Sequence, residues 1–325
     1  MSFHIKILLL SFFTSIVIAF VVIPILRKLK AGQFEREDGP QSHLGKSGTP
    51  TMGGIIMIIS TLILSAFLFF DYAKDQSEIA TRLLPMIFVT LGFGLIGFID
   101  DYKKVVEKNT DGLSPKAKMA GLLIISIIYI TLLITVFKNG TDIYIPFLNK
   151  FVTMPVWLYI IFALLVILGT TNAVNLTDGI DGLSTGVTTL IIATLTIISI
   201  MWNIKETTIF GSIIMGTSLG FLLFNIYPAH VFMGDTGSLL LGGAIAGIAL
   251  YLKIPLLLII IAIIPIAETL SVILQVLYYK KTKKRLFKMS PIHHHFELCG
   301  WKETTVVIVF CAVTLVACGI GLLII

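Results

Sequence analysis

An all-α integral membrane protein of about ten transmembrane helices, with both termini on the extracytoplasmic side and a small β-hairpin on the outer face, is the fold this sequence predicts. Three observations carry that expectation. The chain of 325 residues is 56% hydrophobic and only 13% charged. Its mean hydropathy of +0.99 lies well above what soluble domains show. Its apolar runs have the length a bilayer demands, roughly 17–25 residues each, and are separated by short polar loops.

Taken in order, the runs fall near 3–26, 51–70, 83–99, 117–137, 154–171, 183–202, 206–224, 236–252, 254–279 and 304–325. The first ends at Pro24 and Arg27 without a small-residue cleavage site, so it reads as a retained span, not a signal peptide. An even number of spans puts both termini on one side. Lysine and arginine set the orientation, because cytoplasmic loops are enriched in them. With the N-terminus outside, the loops at 27–46, 103–118 and 280–302 face inward and hold 17 of the 24 basic residues.

No segment is polar enough to form a separate soluble domain and no repeat is evident, so residues 1–325 are expected to form one polytopic domain. Between the fourth and fifth spans, DIYIPFLNKFVTMP at 142–155 alternates apolar residues and then doubles back, which predicts the hairpin. Cys311 and Cys318 stand seven apart on one helix, roughly 10 Å along its axis, too far for a bridge, and Cys299 falls in an inward loop where a thiol stays reduced. The net charge of +6 is explained by topology and anionic headgroups. With no basic domain, a nucleic-acid partner is not expected. Pro255 and Pro265 interrupt the ninth span, which also carries Glu268; a proline kink there is expected to open a groove for a long apolar tail.

The polar motifs all fall on the inward face. NAVNLTDGIDGL at 172–183 sets Asn172, Asn175, Asp178 and Asp181 three residues apart, which on a helix keeps them on one drifting face. A single Asp-Gly there would be an ordinary helix end in headgroups. Four polar residues in phase, with Gly179 and Gly182 permitting close approach, point to a ligand. In FIDDYKK, Asp100 and Asp101 end a helix, oppose its dipole and repel one another, so they require cations: Lys103 and Lys104, a divalent metal or a shared proton. FNIYPAHVFMGDTGS brings Asn225, His230 and Asp235 to the same face, and carboxylate oxygens drawn from several helices suit Mg²⁺. Phe232 beside it is placed to stack on a planar base, although an aromatic there also suits the membrane interface. His293, His294 and His295 of SPIHHHFE cannot all face one ligand from a helix and lack zinc spacing; beside carboxylates and lysines they suit phosphate oxygens.

GTPTMGG, FIDDYKK, NAVNLTDGIDGL, FMGDTGS and PIHHHFE, in this order over nearly the whole chain, resemble the phospho-N-acetylmuramoyl-pentapeptide transferases of bacterial cell-wall synthesis, within the polyprenyl-phosphate N-acetylhexosamine-1-phosphate transferase superfamily. The resemblance implies a multi-pass, Mg²⁺-dependent enzyme of the bacterial plasma membrane, usually a homodimer, with its active site on the cytoplasmic face. It would transfer phospho-MurNAc-pentapeptide from UDP-MurNAc-pentapeptide to undecaprenyl phosphate. It implies Asp235 as metal ligand and Asp100, Asp101 and His294 as catalytic with it. It places Asn175, Asp178, Asp181 and Asn225 on the nucleotide side with Phe232 near the uracil, and Lys46, Thr51, Lys104, Lys116, Asn172, His293 and His295 among the remaining substrate contacts. Two other readings stay open at this point. A sister enzyme using UDP-GlcNAc would share the aspartate motifs, and a transporter would also line its path with polar helix ends, but with ionisable residues near the midplane and repeat symmetry.

Overall fold

The computed structural model describes residues 2–29, 48–105, 107 and 112–325. Its helices are α1 (Phe3–Lys28), α2 (Gly54–Asp75), α3 (Ser77–Val105), α4 (Pro115–Thr131), α5 (Val156–Thr177), α6 (Leu183–Met201), α7 (Lys205–Asn225), α8 (Gly234–Tyr251), α9 (Leu258–Ile261), α10 (Ile263–Thr282), α11 (Ile292–Leu298) and α12 (Glu303–Leu323). Nine helices among the described residues are long and apolar enough to cross a membrane: α1 to α7, α10 and α12, with α4 continued by a π-turn over Leu132–Val136. The tenth expected span is α8. Its 18 residues extend about 27 Å at ~1.5 Å per residue, and every residue from Thr236 to Tyr251 is buried. It packs on α2, α3, α5 and α6 at the centre of the bundle. A helix wrapped by protein need not be strongly apolar, and its glycines and alanines let the neighbours approach.

The hairpin is present as β1 (Asp142–Ile145) and β2 (Lys150–Thr153), antiparallel with Asp142 opposite Thr153 and Ile145 opposite Lys150. It is fastened to the C-terminal end of α8. The Tyr144 N–H donates to the Lys253 carbonyl at 2.7 Å, and Lys253 Nζ lies 2.9 Å from Asp142 Oδ2. Both chain ends lie at this end of the bundle: the Phe3 ring packs 5.8 Å from that of Tyr72 near the end of α2, and the Ile325 carbonyl lies 3.4 Å from Tyr144 Oη. The opposite end, where α2 and α8 begin and α3 and α5 finish, gathers the polar motifs. The three cysteines are free.

The ninth span departs from the expected single kinked helix. Residues Pro255–Leu257 form a 3₁₀ turn, α9 is one turn long, and the chain breaks at Ala262 before α10. Pro265 sits in the first turn of α10, where its missing N–H costs nothing, and its ring excludes a helical carbonyl four residues back at Ile261. The proline thus breaks the chain upstream of itself. The break leaves an apolar cavity of about 70 Å³ lined by residues including Gly169, Ala173, Ile191, Ala262 and Pro265.

Candidate active site

The site is organised by the N-terminal end of α8. The segment before α2 lies against it in extended pairing: Phe232 N–H donates to the Pro50 carbonyl at 2.8 Å, Gly53 N–H to Phe232 O at 2.8 Å, and Gly54 N–H to Met233 O at 2.9 Å. GTPTMGG and FMGDTGS, far apart in sequence, are therefore one unit. Glycine is what permits the closeness: a Cβ on Gly54 would lie 2.1 Å from the Gly237 nitrogen, and one on Gly97 would lie 2.1 Å from the Asp235 carbonyl oxygen.

Asp101, near the end of α3, caps α8 from outside. Its Oδ1 accepts the Asp235 N–H at 3.1 Å, and its Oδ2 accepts the Thr236 N–H at 2.9 Å and the Thr236 hydroxyl at 2.6 Å. The first turn of a helix carries unsatisfied donors and partial positive charge, so a carboxylate there is stabilised. The cation demanded by the adjacent aspartates is thus supplied for Asp101 by a helix terminus. For Asp100 it is Lys104, one turn on, with Nζ 2.5 Å from Oδ2, while Oδ1 accepts the Leu113 N–H at 2.8 Å.

Asp235 stands where these parts meet. Its Oδ2 is held by Lys104 Nζ at 2.8 Å and Lys118 Nζ at 2.9 Å, and its Oδ1 accepts from Asn175 Nδ2 at 2.6 Å. One carboxylate oxygen from each of Asp100, Asp101 and Asp235 lies within 4.8 Å of the others. Oxygen donors without cysteine or histidine fit a hard divalent cation such as Mg²⁺. Asp100, Asp101 and Asp235 are the side chains that could hold it, with Asp101 also tied to the first turn of α8.

The NLTDGIDGL residues divide. Helix α5 ends at Thr177, so Asp178 and Asp181 lie in the following turn and the expected single stripe is only Asn172 and Asn175. Gly182, at φ +76°, ends that turn. Asn172 donates back to Leu168 O at 2.7 Å, away from the cluster, whereas Asn175 reaches Asp235 and Ser238. Burial, with Asp235, Asp101 and Asp181 nearby, pushes the Asp178 carboxyl well above the usual carboxylate range. Asp181 Oδ2 accepts the Ala229 N–H at 2.9 Å. Asn225 accepts the Thr185 hydroxyl at 2.7 Å and donates to Val231 O at 3.1 Å. These last two brace the loop between α7 and α8, which carries half-buried Phe232.

Thr51 is buried beside Gly234, and Lys46 lies outside the described residues. The three histidines have different partners, although the rings of His293 and His294 lie close, with centroids 4.1 Å apart. His293 is buried against Glu268, His294 Nδ1 lies 2.8 Å from Glu297 Oε2, and His295 Nδ1 accepts the Lys288 N–H at 3.1 Å.

Sequence reasoning missed Lys118, which contacts Asp235 while Lys116 is exposed. Two residues apart on α4 are about 200° apart round the helix, and Pro115 fixes where that helix starts. That phase was the available signal. Lys118→Ala is expected to lower kcat/KM by about tenfold or more, the effect of losing a charge-assisted hydrogen bond. Lys116→Ala should stay within about twofold if it adds only surface charge. Steady-state rates of the two variants side by side check the assignment.

Fold and site together define a class: a polytopic membrane enzyme whose carboxylates and lysines, gathered at one end of the bundle, suit phosphoryl transfer. Residues 83–253, which include Asp100, Asp101 and Asp235, match the family model described as glycosyl transferase family 4. The chain is 48% identical over 322 residues to the phospho-N-acetylmuramoyl-pentapeptide-transferase of Acetivibrio thermocellus, covering 98% of this chain and 94% of that relative. It is 45% identical over 317 residues to that of Bacillus subtilis, covering 97% and 95%. With that of Clostridium perfringens strain 13 it shares 48% over 315 residues, covering 97% and 96%. The chain belongs to the phospho-N-acetylmuramoyl-pentapeptide-transferase family.

Proposed function

We propose that this enzyme transfers phospho-MurNAc-pentapeptide from UDP-MurNAc-pentapeptide to undecaprenyl phosphate, yielding lipid I and UMP, at the cytoplasmic face of the bacterial plasma membrane. The observation that carries the reading is the convergence of Asp100, Asp235, Lys104, Lys118 and Asn175 at one end of the bundle. The names of the relatives supply the transferred group, and the loop charges supply the orientation. The same reading makes the protein a homodimer and adds Lys46, Thr51, Phe232 and His294 to the substrate contacts.

In the reaction, an oxygen of the lipid phosphate bonds to the sugar-linked phosphorus of the donor as the bond from that phosphorus to the UMP oxygen breaks. The acceptor is a phosphate monoester with a second pKa near 6, so it is largely dianionic at neutral pH and a strong base is unnecessary. Lys104 and Lys118 stand where phosphate oxygens can take over from Asp235 as their partner. Asp100, held by Leu113 and Lys104, orients the attacking phosphate. Mg²⁺, held by Asp235 with Asp100, would supply neutralisation of the diphosphate charge.

Purified protein in detergent with undecaprenyl phosphate should release UMP from UDP-MurNAc-pentapeptide and not from UDP-GlcNAc. Chelation of divalent metal should abolish release and added Mg²⁺ restore it. Release from UDP-GlcNAc alone would move the assignment to the sister reaction. UMP exchange into the donor without lipid would replace direct attack by a covalent aspartyl-phosphate route.

A further inference from the structure

Glu268 belongs to none of the motifs assigned above, yet it is a carboxylate within α10 whose side chain is wholly buried. A carboxylate so placed is costly unless it is paired and hydrogen-bonded. Its partners all come from one residue. Glu268 Oε1 lies 3.0 Å from His293 Nδ1, and Oε2 lies 3.4 Å from the His293 backbone nitrogen. His293 is likewise wholly buried. A carboxylate gripping Nδ1 keeps the proton on that nitrogen and fixes the ring plane, as carboxylates do for metal-bound and catalytic histidines.

The other ring nitrogen, Nε2, is buried and has no hydrogen-bond partner. It abuts the turn after α5: a Cβ on Gly179 would lie 2.1 Å from it. The line from Glu268 through His293 therefore ends at the Asp178–Gly179 turn, and Asp178 is within electrostatic reach of Asp235. An unpaired buried nitrogen at the back of this turn is a hydrogen bond held in reserve for a ligand that shifts the turn.

We propose that Glu268 is a positioning residue: it fixes His293 with Nδ1 protonated so that Nε2 is presented at the Asp178–Gly179 turn as a hydrogen-bonding partner for the nucleoside-diphosphate donor. This rests on the transfer reaction proposed above. The donor is preferred over the lipid because Nε2 meets the site through the α5–α6 turn, whose Asp181 braces the loop carrying Phe232.

The test is a double-mutant cycle on the full-length protein, with E268A, H293A and E268A/H293A compared in UMP release, alongside E268Q as the shape-preserving variant. E268A and E268Q are expected to raise donor KM or lower kcat on the order of tenfold, about one lost hydrogen bond, with undecaprenyl-phosphate KM unchanged. E268A should have no further effect once His293 is alanine. Additive losses, or unchanged donor kinetics in folded E268Q, would overturn the proposal. An independent readout does not depend on the reaction. In ¹⁵N-histidine spectra assigned by difference from H293A, the resting protein should carry the His293 proton on Nδ1, and E268A should lose that fixed tautomer. A proton found on Nε2 alone would overturn the positioning role. A wild type that releases no UMP would instead count against the transfer reaction, leaving the tautomer measurement to decide this one.

Discussion

Asp235→Asn is expected to lower turnover by about 10³-fold or more, roughly 4 kcal/mol of transition-state stabilisation, in a protein that still folds. Three carboxylates and two ammonium groups meet at this point. Removing the central charge takes away the ligand proposed for the cation and leaves Lys104 and Lys118 facing an amide. Folding should survive because Asn175 still finds the amide oxygen and α8 is capped by Asp101, which the substitution leaves alone. Asp101→Asn should behave differently. Its new amide could still accept at one of the two positions but would turn an N–H₂ toward the donor at the other, Asp235 or Thr236, and loss of a charged cap costs about 0.5–2 kcal/mol. Thermal melting in one detergent, with UMP release, separates the two: Asp235→Asn loses rate with little stability, Asp101→Asn loses both. Near-wild-type turnover in Asp235→Asn would remove Asp235 from the centre of the site.

The contrast between these neighbours marks what the sequence could reveal. Spans were legible because lipid enforces long apolar runs, and even α8, buried among other helices, kept enough leucine and isoleucine to register. Convergence of the motifs was legible because polar residues at depth are tolerated only where protein or water receives them. The division of labour was not. Asp100 and Asp101 are chemically identical in sequence, and only the approach of α8, 134 residues downstream, makes one of them a helix cap. The spacing of Asn172 through Asp181 implied a stripe only if the helix continued, and it stops at Thr177. Lys118 was hidden behind Lys116 by a question of helical phase. The partner of Glu268 lies 25 residues away, past the end of α10 on the short helix α11, beyond any local pattern.

Gly97→Ala is the substitution expected to do most harm without touching a charged group. The added Cβ would stand 2.1 Å from the Asp235 carbonyl oxygen and 2.7 Å from the Thr236 nitrogen, so the obstacle is backbone and no side chain can turn aside. Helices α3 and α8 must separate. Overpacking of a closely fitted interior costs about 1–3 kcal/mol. Separation also draws Asp101 away from the donors it caps and Asp100 away from Asp235, and a displacement near 1 Å at a reacting centre can cost about 10²-fold in rate. A lowered melting temperature together with a loss of about 10²-fold in UMP release is therefore expected. Gly319→Ala provides the control, since nothing lies within 4 Å of its added Cβ, and it should leave turnover unchanged and melt no lower than the wild type, because alanine favours a helix interior over glycine. If Gly97→Ala instead melts and turns over like the wild type, α3 and α8 can slide apart without disturbing the carboxylates, and the site is held by its ion pairs more than by the contact between helices.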